Sequence, residues 1–368
     1  MRFRVHIFFS FLLVIGICTV GLGLAQSTAN EDALALKIIR EQYEALNHRL
    51  DVLQKAIDDV QWHNEVNEVA FFSKARIYGP PGQREPNPTA QGAGNPVKFY
   101  AYVFIPKPFE AKSKYPLLVY NHGGVHSNFS TAGAHIICEL VAQGYVVVAP
   151  DYRGSTGYGK VMYELIDYGG LEVEDAYASR NYMIENYDII DKDRIGIIGW
   201  SHGGLITLLN IFNHPESYKV AFAGVPVSDL VARMGYKTEE YRNFYSADYH
   251  LGKTAYEDVN EYRRRSPAWN AEKLQTPLLI HTNTADEDVN VLEVEHLISA
   301  LKAAKKQFEY EIFKDAPGGH AFDRIDTLYA KEIRVKIYRF LARHLNPSNP
   351  FNSAGDLYRV GHKPYFQE

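Results

Sequence analysis

In the stretch RIGIIGWSHGGLITLLN, residues 194–210, a single serine stands where one apolar run gives way to another. Ser201 is flanked by Gly199, Gly203 and Gly204, so no side chain crowds the turn. Its oxygen is then left exposed where a strand becomes a helix, the G-x-S-x-G elbow pattern. A serine so placed can attack a carbonyl if a base takes its proton, a carboxylate orients the base and N–H groups hold the oxyanion. The histidines after it are His296, His320, His344 and His362. His296 and His344 fall in helical stretches and His362 in the tail. His320 follows FEYEIFKDAPGG, a strand and a glycine turn that can return an imidazole over a sheet edge. The acid is sought beyond the strand PLLIHTN, where Asp286 is the first choice and Asp288 the close alternative. The oxyanion donors are expected to be the N–H of His202 and that of Gly123 or Gly124 in LLVYNHGGVH.

These residues need a rigid frame, and the surrounding pattern supplies one. VKFYAYVFIP, YPLLVYN, YVVVAPDYRG, RIGIIGW, VAFAGVPVS, PLLIHTN and FEYEIFKDA read as strands. Helical segments lie between them, among them AHIICELVAQG, GLEVEDAYASRNYMIENY, residues 291–304 and residues 326–345. Continuous apolar strands alternating with helices predict an α/β fold, a mostly parallel sheet with helices on both faces, over residues 71–345. With the serine elbow this is the α/β-hydrolase fold. Residues 79–96 read as a proline- and glycine-rich loop. The polar, aromatic insertion 230–274 carries Tyr236, Tyr241, Tyr245, Tyr249, Tyr256 and Tyr262 and reads as a lid. Its Tyr and Arg residues, Arg263, Arg264 and Arg265 among them, could read a substrate carboxylate or aromatic group, or be solvated surface.

The ends read differently. Arg2 and Arg4, an apolar run over 5–24 and small residues at Gly23 and Ala25 predict a signal peptide over 1–25. The rival reading is an uncleaved membrane anchor through residues 5–24. The catalytic domain is accordingly expected to be secreted or periplasmic, or membrane-anchored outside the cytoplasm. In segment 31–62, Leu36, Ile39, Tyr43, Leu46, Leu50, Leu53, Ile57 and Val60 alternate spacings of three and four, a heptad stripe on one helix. It either joins a homo-oligomer through residues 36–60 or lies on its own domain. The flanking Arg40, Gln42, Asn47 and Arg49 carry no opposed charges. Residues 346–368 read as a tail. Only Cys138 remains outside the leader segment holding Cys18, so no disulfide is expected. A net charge of −5 without a basic stripe argues against nucleic acid. His122 and His126 lack a third ligand at useful spacing, so neither metal nor cofactor is expected.

Taken together, these motifs resemble the catalytic domain of the prolyl oligopeptidase family of serine peptidases. The likeness runs over residues 97–345 and rests on DYRGSTGYG, GGLEVEDAY, DKDRIGIIGWSHGG, RRRSPAWNAEKLQTPLLIH, DEDV and GGHAF. It implies acylation chemistry at Ser201, Asp286 and His320, and the D-x-x-V form of DEDV favours Asp286 over Asp288. It also implies Val227 and Leu230, in PVSDL, as apolar walls of a substrate pocket. Three features depart from the family pattern, one of them the Tyr- and Arg-rich composition of the insertion 230–274. Too few residues precede the core for the usual β-propeller, and HTNTAD is one residue longer than the usual H-G-x-x-D. The expected activity is cleavage of peptide or amide bonds. A carboxylesterase acting on small or aromatic esters is the alternative, and a noncatalytic scaffold the third reading.

Overall fold

The computed structural model describes residues 5–83 and 87–360, with side chains from residue 32 onward. Residues 1–4 and His362, and the side chains of the leader segment, lie outside that description. The chain divides into two compact units, 1–51 and 52–368. Helix α1 spans Val5–Val66, longer at both ends than the heptad segment. Among the described residues no helix is long and apolar enough to cross a membrane.

The second unit is built on an eight-stranded sheet. In chain order it contains β1 (Ala70–Pro81), β2 (Pro96–Pro106), β3 (Tyr115–Asn121), α2 (Ala134–Ala142), β4 (Val146–Asp151), α3 (Lys160–Tyr163), α4 (Leu171–Asn186) and β5 (Ile190–Trp200). Then come α5 (His202–Asn213), β6 (Val220–Gly224), α6 (Leu230–Tyr236), α7 (Glu239–Tyr245), α8 (Val259–Arg264), β7 (Leu278–Asn283), α9 (Val291–Ala303), β8 (Glu309–Phe313), α10 (Leu328–Leu345) and α11 (Ala354–Tyr358). The spatial order is β1-β2-β4-β3-β5-β6-β7-β8. β1–β2 and β2–β4 are antiparallel, and every other neighbouring pair is parallel. This is the expected α/β-hydrolase architecture.

Strand periodicity divides the core into two layers. Leu117, Val119, Val146, Val148 and Ile197 face one layer with Val173, Ala176, Leu205, Leu208 and Leu297 of α4, α5 and α9. Leu118, Tyr120, Val147, Ala149 and Ile198 face the other, with Ile136, Leu140, Ile333, Ile337 and Leu341 of α2 and α10. Because both faces are covered, these strands are continuously apolar rather than alternating.

Three sequence expectations change. β1 is an additional strand: Ala70, Ala75 and Ile77 point inward from an edge whose other residues are largely solvated, too weak an apolar signal to read as a strand. It also takes up the first residues of the stretch read as a loop. The tail is not loose through Val360, because Phe351 and Leu357 are buried in the second core layer. Finally, the C-terminal part of α1 belongs to the catalytic unit. Trp62 stacks on Phe129 with ring centroids 5.4 Å apart, and the buried Lys55 pairs with Asp151 Oδ2 at 3.1 Å.

Candidate active site

Ser201 caps α5 directly after β5, with φ 60° and ψ −121°, a left-handed backbone that strains any residue but glycine. The neighbouring chain enforces it. The Ser201 amide donates to the Gly224 carbonyl of β6 at 2.9 Å, and its carbonyl accepts from Leu205 N and Val227 N. A methyl group at Gly199 would overlap the Gly203 carbonyl, and one at Gly203 would overlap the Asn121 carbonyl and come 2.7 Å from that of His122. The glycines are therefore spaces into which backbone has moved, which lets the helix start hard against β3.

Asp286 follows β7 and His320 follows β8, so all three candidates leave the same, C-terminal, edge of the parallel strands. His320 Nδ1 lies 2.8 Å from Asp286 Oδ2. Asp286 Oδ1 accepts from the amides of Asp288 and Val289 at 2.8 and 2.9 Å, fixing the fully buried carboxylate. Among the described residues Ser201 and His320 share no hydrogen bond. His320 Nε2 lies 3.8 Å from Asp288 Oδ2. Asp288 is held by Lys237 Nζ at 2.7 Å and Arg233 Nη2 at 3.2 Å. Burial alone would raise the Asp288 carboxyl pKa, but the Lys237 hydrogen bond and the two nearby cations hold it below the usual carboxylate range.

The candidate oxyanion donors are distinguished by their packing. His202 begins α5, so its N–H has no carbonyl one turn earlier within the helix. Gly123 lies close enough that a Cβ there would sit 3.1 Å from the Trp200 carbonyl and 3.4 Å from Ser201 Cβ. Gly124, at φ +75°, turns toward Ser127 instead. Its carbonyl, like that of His122, accepts from the Tyr152 hydroxyl, at 3.3 and 2.9 Å, which pins the loop. His122 Nε2 meets Ser155 Oγ at 2.9 Å, and His126 Nε2 meets His250 Nε2 at 2.9 Å. Among the described residues no group of three or more His, Cys, Asp or Glu is arranged to hold a metal.

Val227 and Leu230 are core side chains, 2% and 0% exposed. The open cavity in this region, about 570 Å³, is lined further along the insertion by Val231, Met234, Arg242, Tyr256 and Tyr262. The three consecutive arginines of the insertion are engaged within the protein. Arg265 is buried against Asp167 and Glu261, Arg264 pairs with Glu261, and the Arg263 guanidinium stacks 4.3 Å above Trp269.

Two positioning residues escape a reading of the sequence. Asn283, buried at the end of β7, accepts from Ala285 N and Ala316 N and donates to the carbonyls of Ala316 and Gly319. It thereby ties the acid loop to the histidine loop and occupies the longer HTNTAD spacing. Glu172 lies buried beneath α5, 3.5 Å from His202 Nε2, and accepts from the amides of Gly169 and Gly170. Burial would raise its pKa, but the His202 contact and the Gly169 amide bring it below the ordinary value. An acid in the first turn of α4, within GGLEVEDAY, is its only signal in the sequence.

A strained serine at the edge of a doubly covered parallel sheet, with a histidine–aspartate pair on the same edge, defines a hydrolase of the α/β class. Within that class the chain belongs to the prolyl oligopeptidase family, whose model matches residues 133–348. It is 30% identical to human dipeptidyl peptidase 8 over 227 residues, 58% of this chain and 24% of that protein. It is likewise 30% identical to the uncharacterized peptidase YuxL of Bacillus subtilis over 239 residues, 63% of this chain and 36% of that protein. The chain thus spans about a quarter to a third of the length of these relatives. In fold it is similar to a puromycin-hydrolyzing peptidase of Mycobacterium tuberculosis, with a TM-score of 0.63 and 24% identity, covering 77% of this chain and 41% of that one.

Proposed function

We propose that this chain is a serine peptidase that cleaves peptide or amide bonds through an acyl-enzyme on Ser201. The carrying observation is the 2.8 Å contact between His320 Nδ1 and Asp286 Oδ2 on the sheet edge that also bears the strained Ser201. In this reading His320 turns Nε2 from Asp288 toward Ser201 as substrate enters. Ser201 Oγ adds to the substrate carbonyl and its proton passes to Nε2. The same proton then goes to the departing amine, and the tetrahedral centre collapses to the acyl-enzyme. A water molecule, deprotonated by His320, hydrolyses the ester and restores Ser201. Asp286 keeps the Nδ1–H tautomer, and the amides of His202 and of Gly124 or Gly123 hold the oxyanion. Val227, whose amide donates to the Ser201 carbonyl, and Leu230 lie in the core behind the site and back its apolar side rather than lining an open pocket. Arg2, Arg4 and the small residues up to Ala25 support export, for which N-terminal sequencing should read from Gln26.

The test compares the wild type and Ser201→Ala on aminoacyl-p-nitroanilides and short-chain p-nitrophenyl esters. Amide turnover lost in the variant is the expected result. Turnover of esters alone would assign a carboxylesterase. Silence on both, with Ser201 unreactive to a fluorophosphonate, would refute the catalytic reading.

A further inference from the structure

Helix α1 is amphipathic in the wrong sense for a helix that serves only its own domain. The face it packs on the sheet is largely polar: Lys55 bonds Asn128, Phe129 and Asp151, Asp58 bonds Thr131, and Asp59 bonds Lys74 and Tyr102. Trp62 and Val66 complete that face. The heptad stripe points elsewhere. Leu36, Ile39, Tyr43, Leu46, Leu50, Leu53, Ile57 and Val60 are each between 48% and 68% exposed. With Leu36 as position a, these eight are the a and d sites of four heptads. Lys55, Asp58, Asp59, Trp62 and Val66 fall at b, c and f, opposite the a and d residues Leu53, Ile57 and Val60 of the same unit. A contiguous apolar strip of this kind on a soluble surface marks an interaction site.

We propose that the stripe is the seam of a two-stranded coiled coil with a second copy of this chain. A strict seven-residue repeat stays in register only with a partner that supercoils about it. A helix lying flat on a domain would drift by about 20° per heptad. The flanks fit self-pairing. In a parallel, in-register pair Ala35 faces Arg40, Gln42 faces Asn47, Arg49 faces Gln54 and Ala56 faces Gln61 of the second copy, with no like charges opposed. The pairing leaves the b, c and f face of α1 on its own catalytic unit.

The test is sedimentation equilibrium of the full chain at micromolar concentration in a mild non-ionic detergent. The wild type is expected at twice the chain mass, and Leu46→Glu and Leu50→Glu each at the single mass. Trp62, Trp200 and Trp269 lie outside the stripe, so their fluorescence during urea unfolding reports the catalytic unit and should be unchanged in both variants. A wild-type monomer would overturn the proposal. So would flotation with phosphatidylglycerol vesicles that Leu46→Glu and Leu50→Glu abolish, which would assign the stripe, and not the apolar run 5–24, to a membrane surface. A dimer that survives both substitutions would place the contact on another face and overturn it as well.

Discussion

Asp286 and Asp288 both approach His320, and replacing each by asparagine separates their roles. Asp286 Oδ1 takes two backbone N–H groups, from Asp288 and Val289. In Asp286→Asn the amide oxygen must occupy that position, since only an acceptor satisfies both donors. The NH₂ group is then forced into the place of Oδ2, 2.8 Å from His320 Nδ1. It donates, Nδ1 must accept, and the imidazole proton moves to Nε2. A ring protonated at Nε2 cannot take the proton of Ser201. The loss expected for this wrong tautomer is about 10,000-fold in kcat. At about 1.36 kcal/mol per tenfold that is roughly 5 kcal/mol of barrier. Asp288→Asn changes a carboxylate that is 44% exposed and lies 3.8 Å from Nε2, with no part in fixing Nδ1, so kcat should stay within about tenfold. Both variants are compared with wild type on the best substrate of the panel, with far-UV circular dichroism as the check on folding. Asp286→Asn within tenfold of wild type, or Asp288→Asn the weaker enzyme, would refute this assignment.

Other outcomes follow from buried charge and space. Lys55→Met strips the buried Asp151 carboxylate of its cation and should cost about 3–5 kcal/mol in urea unfolding. Adding Asp151→Asn should recover part of that loss, and strict additivity would argue against a direct pair. Burial, with the Lys336 charge, pushes the His281 pKa down to about 3 from an ordinary 6.5, and burial pushes that of His122 to about 4. Below pH 6.5 the unfolded chain therefore binds protons that the folded chain refuses, and stability falls as pH drops from 6.5 to about 4. His281→Phe, set between the rings of Phe222 and Phe313, should make that fall shallower by up to about 1.4 kcal/mol per pH unit; an unchanged slope would place the linkage elsewhere. Val227→Ala enlarges the space beside Ser201 and should shift preference on the anilide panel toward bulkier residues, whereas an unchanged ranking would show that Val227 does not shape the site.

Local patterns carried the catalytic assignment. A strand, a glycine pair and a histidine within one short stretch pointed to His320, which the fold brings against Asp286, and the glycines around Ser201 made its elbow legible. What stayed hidden depends on partners distant in the chain. Lys55 meets Asp151 across the domain, and a lysine in a helix gives no hint that it faces inward. Asn283 is an ordinary strand-end residue until the Gly319 carbonyl is brought against it. The arginine triplet was open to two readings, a substrate reader or solvated surface. In the fold each finds an acid or an aromatic ring, and Arg265 is buried there against Asp167, a partner that no spacing in the sequence announces.

The lid-like insertion is bonded into the fold at Arg233 and packed against it at Tyr245 and His250. Arg233 is buried and joins Tyr241, Tyr236, Glu293 and Asp288, so α6 is bonded both to α9 and to the acid loop. On its other side His250 meets His126, two residues beyond Gly124, while Tyr245 packs on Tyr168 with centroids 4.7 Å apart. Swinging this segment away would break the Arg233 network, whose unpaired buried charges would each cost several kcal/mol. It would also release Asp288 beside His320 and the loop beside Ser201 together. On the proposed mechanism substrate entry needs only a smaller adjustment, the turn of His320 Nε2 from Asp288 toward Ser201.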